Sequence, residues 1–102
     1  MIMADWLWTW GGESFGFRDG NTLFAADGRQ VGRFYENEVY DQNGDYLGEL
    51  GDSDRLITRQ ARLGRTKSPF VPRIRMGRMQ HFNRLGRLMR LGCQDFPSAD
   101  QL

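Results

Sequence analysis

Few side chains in this sequence are of types that do covalent chemistry, and their spacing narrows what they could do. His81 is the only histidine and Cys93 the only cysteine. A histidine-dependent triad would have one available base and no motif around a serine to complete it, and a single thiol cannot build a cysteine metal cluster. Glu13, Glu36, Glu38 and Glu49 could pair in space, yet nothing in their spacing requires it. The run Asp41-Gln42-Asn43-Gly44-Asp45 superficially resembles a calcium loop. In that motif glycine follows the third ligand and a bidentate glutamate closes the loop, whereas here Tyr46 follows Asp45. The chain is therefore expected to be non-enzymatic, with no cofactor and no metal.

Binding chemistry is better represented. Trp6, Trp8 and Trp10 alternate, which places them on one face of a strand, where they could stack on a sugar, a base or a Pro-rich peptide. Arg75, Arg78, Arg84, Arg87 and Arg90 surround His81 and Phe82, a combination able to clamp phosphates and stack bases, although no nucleic-acid-binding signature accompanies them. A basic amphipathic segment suits a protein groove or an anionic membrane equally well. Trp6, Trp10, Arg75, Arg78, Phe82, Arg84, Arg87 and Arg90 are thus the candidate partner-binding residues.

The elements that must position these residues follow from composition and repetition. The chain has 102 residues, 39% hydrophobic and 26% charged, with thirteen glycines, which implies a small turn-rich domain with a thin core. A net charge of +1 conceals an asymmetry. Residues 1–54 hold eleven acidic and three basic side chains, residues 55–102 eleven basic and two acidic, and no Asp or Glu lies between Arg55 and Arg90. Such a block either neutralises the acidic half or meets an acidic partner.

A shift of 16 residues superimposes the chain on itself. Gly12, Gly28 and Gly44 recur at one phase, and Gly16, Gly32, Gly48 and Gly64 at another. Phe15, Val31, Leu47 and Leu63 keep the same spacing, and Leu7, Leu23 and Val39 precede Trp8, Phe24 and Tyr40. Each unit reads as a β-hairpin turning at Gly11-Gly12, Asp27-Gly28 or Asn43-Gly44, dipeptides suited to a two-residue type I′ turn. Asp19-Gly20-Asn21, Glu36-Asn37 and Gly51-Asp52-Ser53 read as turns linking the units. The fourth unit is degenerate, since Leu56-Ile57 sits one residue late and Gln60 replaces the turn glycine. Isolated hairpins are marginal in water, so the four units are expected to bury one another in a pseudo-fourfold ring of eight short strands. Trp8, Phe24 and Tyr40 should then occupy equivalent places.

The segment Val39-Tyr40-Asp41-Gln42-Asn43-Gly44-Asp45-Tyr46-Leu47-Gly48 resembles the recurring unit of the bacterial 4-fold beta flower domains: two apolar residues, Asp, any residue, Asn-Gly, then an apolar residue and Gly. The resemblance covers about residues 5–68 and is clearest in the second and third units, although Ala25 stands where the pattern has its first Asp. It implies the four-hairpin fold and no catalytic residues, because no activity is assigned to that family.

Two segments are therefore expected, a β-repeat domain over residues 5–68 and a basic Gly- and Arg-rich extension over 69–102. Pro69-Phe70-Val71-Pro72 reads as an extended linker. Met76, Met79, Phe82, Leu85 and Leu88 fall every third residue, which predicts a basic amphipathic helix over about 73–91, with Gly77 and Gly86 weakening it. Neither a signal peptide nor a membrane-spanning run is evident, and a lone cysteine fits a reducing compartment, so a bacterial-type cytoplasmic location is expected. The functional expectation is a non-catalytic protein-interaction or assembly module, with a second copy of the chain in a homo-oligomer or another protein as partner, and with nucleic-acid binding through the tail as the alternative.

Overall fold

The computed structural model describes residues 5–102. Strands alternate inward and outward side chains, and the apolar pairs of each unit use both directions. Eight strands follow in order: β1 (Asp5–Thr9), β2 (Ser14–Asp19), β3 (Thr22–Ala25), β4 (Gln30–Tyr35), β5 (Glu38–Tyr40), β6 (Tyr46–Leu50), β7 (Arg55–Arg59) and β8 (Cys93–Asp95). Neighbours in sequence pair antiparallel throughout, and a parallel pairing of β1 with β7 closes β1 to β7 into a seven-stranded barrel. The second edge of β7 is shared, because β1 pairs with Arg55 and Leu56 while β8 pairs with Ile57, Thr58 and Arg59. Closure leaves few unpaired strand edges.

The 16-residue period appears as three equivalent β-bulges. Leu7 faces Gly16 but Trp8 faces Ser14, Leu23 faces Gly32 but Phe24 faces Gln30, and Val39 faces Gly48 but Tyr40 faces Tyr46. The residue skipped each time is Phe15, Val31 or Leu47. The extra residue bends the strand and turns Phe15 and Val31 into the bore, where they join Leu7, Leu23, Phe34, Val39, Leu56 and Phe96 in one core cluster. Outside the wall lies a second cluster of Trp6, Trp8, Phe17 and Phe24.

The hairpin turns differ from the expected type. Gly12, Gly28 and Gly44 do have positive φ, at 94°, 92° and 90°, but Asp27 and Asn43 are not among the residues with positive φ, as a type I′ turn would require. Instead Thr9, Ala25 and Asp41 each bond through their N–H to the carbonyl four residues on, enclosing a three-residue loop that ends in the glycine. The two-residue loops are the links between units, since Asp19 pairs with Thr22 and Tyr35 with Glu38.

Two further expectations need correction. The fourth unit supplies only β7: after Arg59 the chain enters a 3-10 turn over Gln60–Arg62, and the eighth strand comes from residues 93–95 instead of 63–68. Residues 73–91 form no helix. The N–H groups of Arg75, Arg78, Arg84 and Arg87 donate to the carbonyls of Gly28, Ala26, Gly12 and Trp10 at 2.8, 2.8, 2.7 and 3.4 Å, so the hydrogen bonds a helix would use internally go to the barrel. Among the described residues no helix is long and apolar enough to cross a membrane.

Candidate docking face

The tail is an extended strap that visits the hairpin turns in reverse order. Lys67 donates its N–H to the Gly44 carbonyl, Arg75 to that of Gly28 and Arg84 to that of Gly12. At the bulge-flanking positions Tyr46 and Gln30 donate to the Arg65 and Arg73 carbonyls, and Ser14 donates to the Asn83 Oδ1 at 2.8 Å. The strap thus advances by eight or nine residues for each 16-residue unit. Close backbone approach requires the turn glycines: a Cβ on Gly28 or Gly44 would strike the carbonyl of Arg75 or Lys67. After the first turn, β8 joins β7, and Phe96 enters the bore, 3% exposed and edge-on to Phe15 at 5.4 Å.

This path sorts the strap side chains by chemistry. The cations lie back on the outward aromatics of the barrel, with Lys67 5.9 Å from the Tyr40 ring centroid, Arg75 5.3 Å from Phe24 and Arg84 3.4 Å from Trp8. Arg78 covers Phe17, and Arg87 and Arg90 both cover Trp10. Trp8, Phe24 and Tyr40, equivalent by repeat phase, therefore each have a strap cation over the ring. Trp6 is covered by the parallel His81 ring at 4.3 Å and donates through Nε1 to Ser14 Oγ.

Candidate residues from the sequence thus divide into two groups. Trp6 and Trp10 are buried, and the Trp10 indole donates to the Leu88 carbonyl at 3.1 Å. Arg75 pairs with Asp19, and Arg90 with Asp52 at 3.0 Å, while Arg84 and Arg87 donate to the Ser53 carbonyl and hydroxyl. Phe82 projects away from the barrel, 94% exposed. It does not stand alone: Val71, Ile74, Met76, Met79, Leu85, Leu88 and Leu91 are also 84–101% exposed, forming an apolar belt along the outer side of the strap.

The charge around the belt is positive. Lys67, Arg73, Arg78, Arg84 and Arg87 pair with no carboxylate among the described residues. Nearby, burial pushes the Arg55 pKa down, and the charges of Arg87 and Arg84 push it further, with Asp95 opposing. Among the described residues the Arg55 side chain donates from NH1 to the Trp10 carbonyl at 3.0 Å, and its buried Nε has no partner there.

Other recesses carry less. A hollow of about 530 Å³ under the strap is lined by Arg29, Gln30, Asp41, Asn43, Arg73 and Ile74 among others, and brings no nucleophile next to a base. The Asp41 carboxylate is occupied in accepting the Asn43 and Asp45 N–H groups at 2.9 and 3.0 Å, which accounts for the calcium-like run as an Asx-type turn. Among the described residues no three His, Cys, Asp or Glu side chains are grouped to hold a metal ion.

Sequence reasoning missed Lys67, the His81–Trp6 stack and Phe96. The first had a readable signal, because Lys67, Arg75 and Arg84 step along the chain by eight and then nine residues, close to half the 16-residue period. Phe96 follows the basic block with no repeat neighbour to mark it. In comparisons with known proteins, no family model, no curated protein and no solved structure matches the chain.

Proposed function

We propose that the chain is a non-catalytic interaction module, a closed barrel that uses its encircling strap as a docking face. The exposed belt carries this reading, since eight large apolar side chains on one short segment far exceed the isolated exposed residues of an ordinary surface. The resemblance to the 4-fold beta flower domains belongs to the same proposal and is supported by the three bulges at 16-residue spacing. Nucleic-acid binding is the weaker reading, because base stacking needs outward rings, and here Trp6 and Trp10 are buried, His81 lies on Trp6, and Phe82 faces outward among aliphatic neighbours.

The combined variant Met79→Gln/Phe82→Gln/Leu85→Gln tests the docking reading. These side chains add little to the fold, so thermal unfolding should match that of the unaltered protein, as for ordinary surface substitutions. Binding of an apolar dye, and any association of the chain, should fall. A variant that melts far earlier, or that leaves both properties unchanged, would overturn the reading. A 260/280 nm absorbance ratio raised by retained nucleic acid at low salt would favour the alternative.

A further inference from the structure

Resting on that docking reading, we propose that the belt seats on an anionic lipid surface. Along the segment 74–79 the outward residues Ile74, Met76 and Met79 alternate with the inward cations Arg75 and Arg78, so apolar groups stand foremost and positive charge lies one layer behind. The cations remain reachable from outside: Arg73, Arg78, Arg84 and Arg87, which have no carboxylate partner among the described residues, are exposed, and even Arg75 and Arg90, paired with Asp19 and Asp52, keep side chains 45% and 46% exposed. That is the order of a bilayer surface entered from water: acyl chains deepest, phosphates above them. Apolar side chains would enter the headgroup and acyl boundary while guanidiniums meet lipid phosphates.

Charge also discriminates among occupants. A second copy laid belt to belt would set Lys67, Arg73, Arg78, Arg84 and Arg87 against their own counterparts, none of them paired with a carboxylate among the described residues. An anionic membrane reverses that repulsion. It also suits the absence of any Asp or Glu between Arg55 and Arg90, since acidic residues would oppose binding, and Asp19 and Asp52 beside the strap are offset by Arg75 and Arg90.

Co-sedimentation of the full chain with vesicles tests this, comparing phosphatidylcholine alone with phosphatidylcholine containing phosphatidylglycerol. Binding is expected only to the anionic vesicles and should weaken as salt is added. Each basic residue near such a surface is worth roughly a fivefold change in partitioning, so Arg73→Gln/Arg78→Gln should bind roughly 25-fold more weakly, and Arg73→Lys/Arg78→Lys should restore most of the loss. The Met79→Gln/Phe82→Gln/Leu85→Gln variant should lose binding while keeping its melting temperature. Equal binding to both vesicle types, or none to either, overturns the proposal. If the unaltered chain ignores vesicles but self-associates through the belt, the lipid partner is wrong and the docking reading stands. If belt variant and unaltered chain agree in both vesicle binding and native mass, both fail.

Discussion

At the scale of single residues, the strongest constraints sit where backbone and charge have no alternative arrangement. Gly44 combines a φ of 90° with the strap carbonyl of Lys67 where a side chain would begin. Gly44→Val should therefore cost at least about 1–3 kcal/mol of backbone strain, read as a lower urea midpoint, and an unchanged midpoint would mean the strap does not rest there. Glu49, 9% exposed, accepts from Tyr46 Oη at 2.9 Å, Arg59 Nε at 2.8 Å and Arg62 NH1 at 2.6 Å. Burial opposes its ionisation, but these bonds outweigh burial and hold the carboxyl below the ordinary glutamate value. For Tyr46, burial pushes the hydroxyl up to about 12, with the Glu49 carboxylate acting in the same direction. The signs differ. The Glu49 contribution is complete above the unfolded value of about 4.3 and is lost as pH falls below it, whereas the Tyr46 contribution is complete below about 10 and is lost as pH rises from there. Melting temperature against pH should fall at both ends, with Glu49→Gln flattening the acid limb and Tyr46→Phe the alkaline one.

At the scale of elements, the strap replaces the helix that its apolar spacing predicts. Met76, Met79, Phe82, Leu85 and Leu88 recur every third residue on an extended chain because they are the side chains left over when intervening residues turn to the barrel. Periodicity recorded that two-sidedness but could not say which side faces water; the natural assumption, apolar side in, is reversed by the aromatics waiting outside the wall. The hairpins themselves were legible from Gly12, Gly28 and Gly44, and so was the equivalence of Trp8, Phe24 and Tyr40. The bulges were not, because Phe15, Val31 and Leu47 look like ordinary strand residues until the partner strand sets the register. Arg84 gives this element a measurable signature. Its guanidinium covers Trp8, whose indole also donates to the Phe82 carbonyl at 2.8 Å. Arg84→Ala should cost about 1 kcal/mol and shift tryptophan emission to longer wavelength as Trp8 meets water. Emission that stays in place would show that Trp8 is covered by something else.

At the scale of the whole molecule, closure depends on chain ends far apart in sequence. The units over residues 5–59 make a barrel wall whose last strand has half of one edge unpaired, and β8 fills that half from residues 93–95. Just beyond it, Phe96 occupies the bore against Phe15 and lies where a Cβ on Gly48 would be, at 2.6 Å. Arg29 then fixes the last turn through the carbonyls of Ala99 and Leu102 at 3.2 and 2.8 Å. Nothing in the repeat announces this, because the missing half-hairpin leaves only a degenerate unit and its replacement has a different sequence. The consequence is that the strap is held at both ends by the core, which keeps the belt extended and its apolar side chains outward. Phe96→Ala should remove about 3–5 kcal/mol, and a chain ending at Ser68 should lose β8, the core plug and the cover over Trp6, Trp8 and Trp10 together. We expect that shortened chain to lack a cooperative urea transition and the near-ultraviolet circular dichroism of packed tryptophans. A shortened chain that unfolds cooperatively with its tryptophan signal intact would mean the hairpins close on their own, and the strap would then be an appendage whose outward belt owes nothing to the barrel.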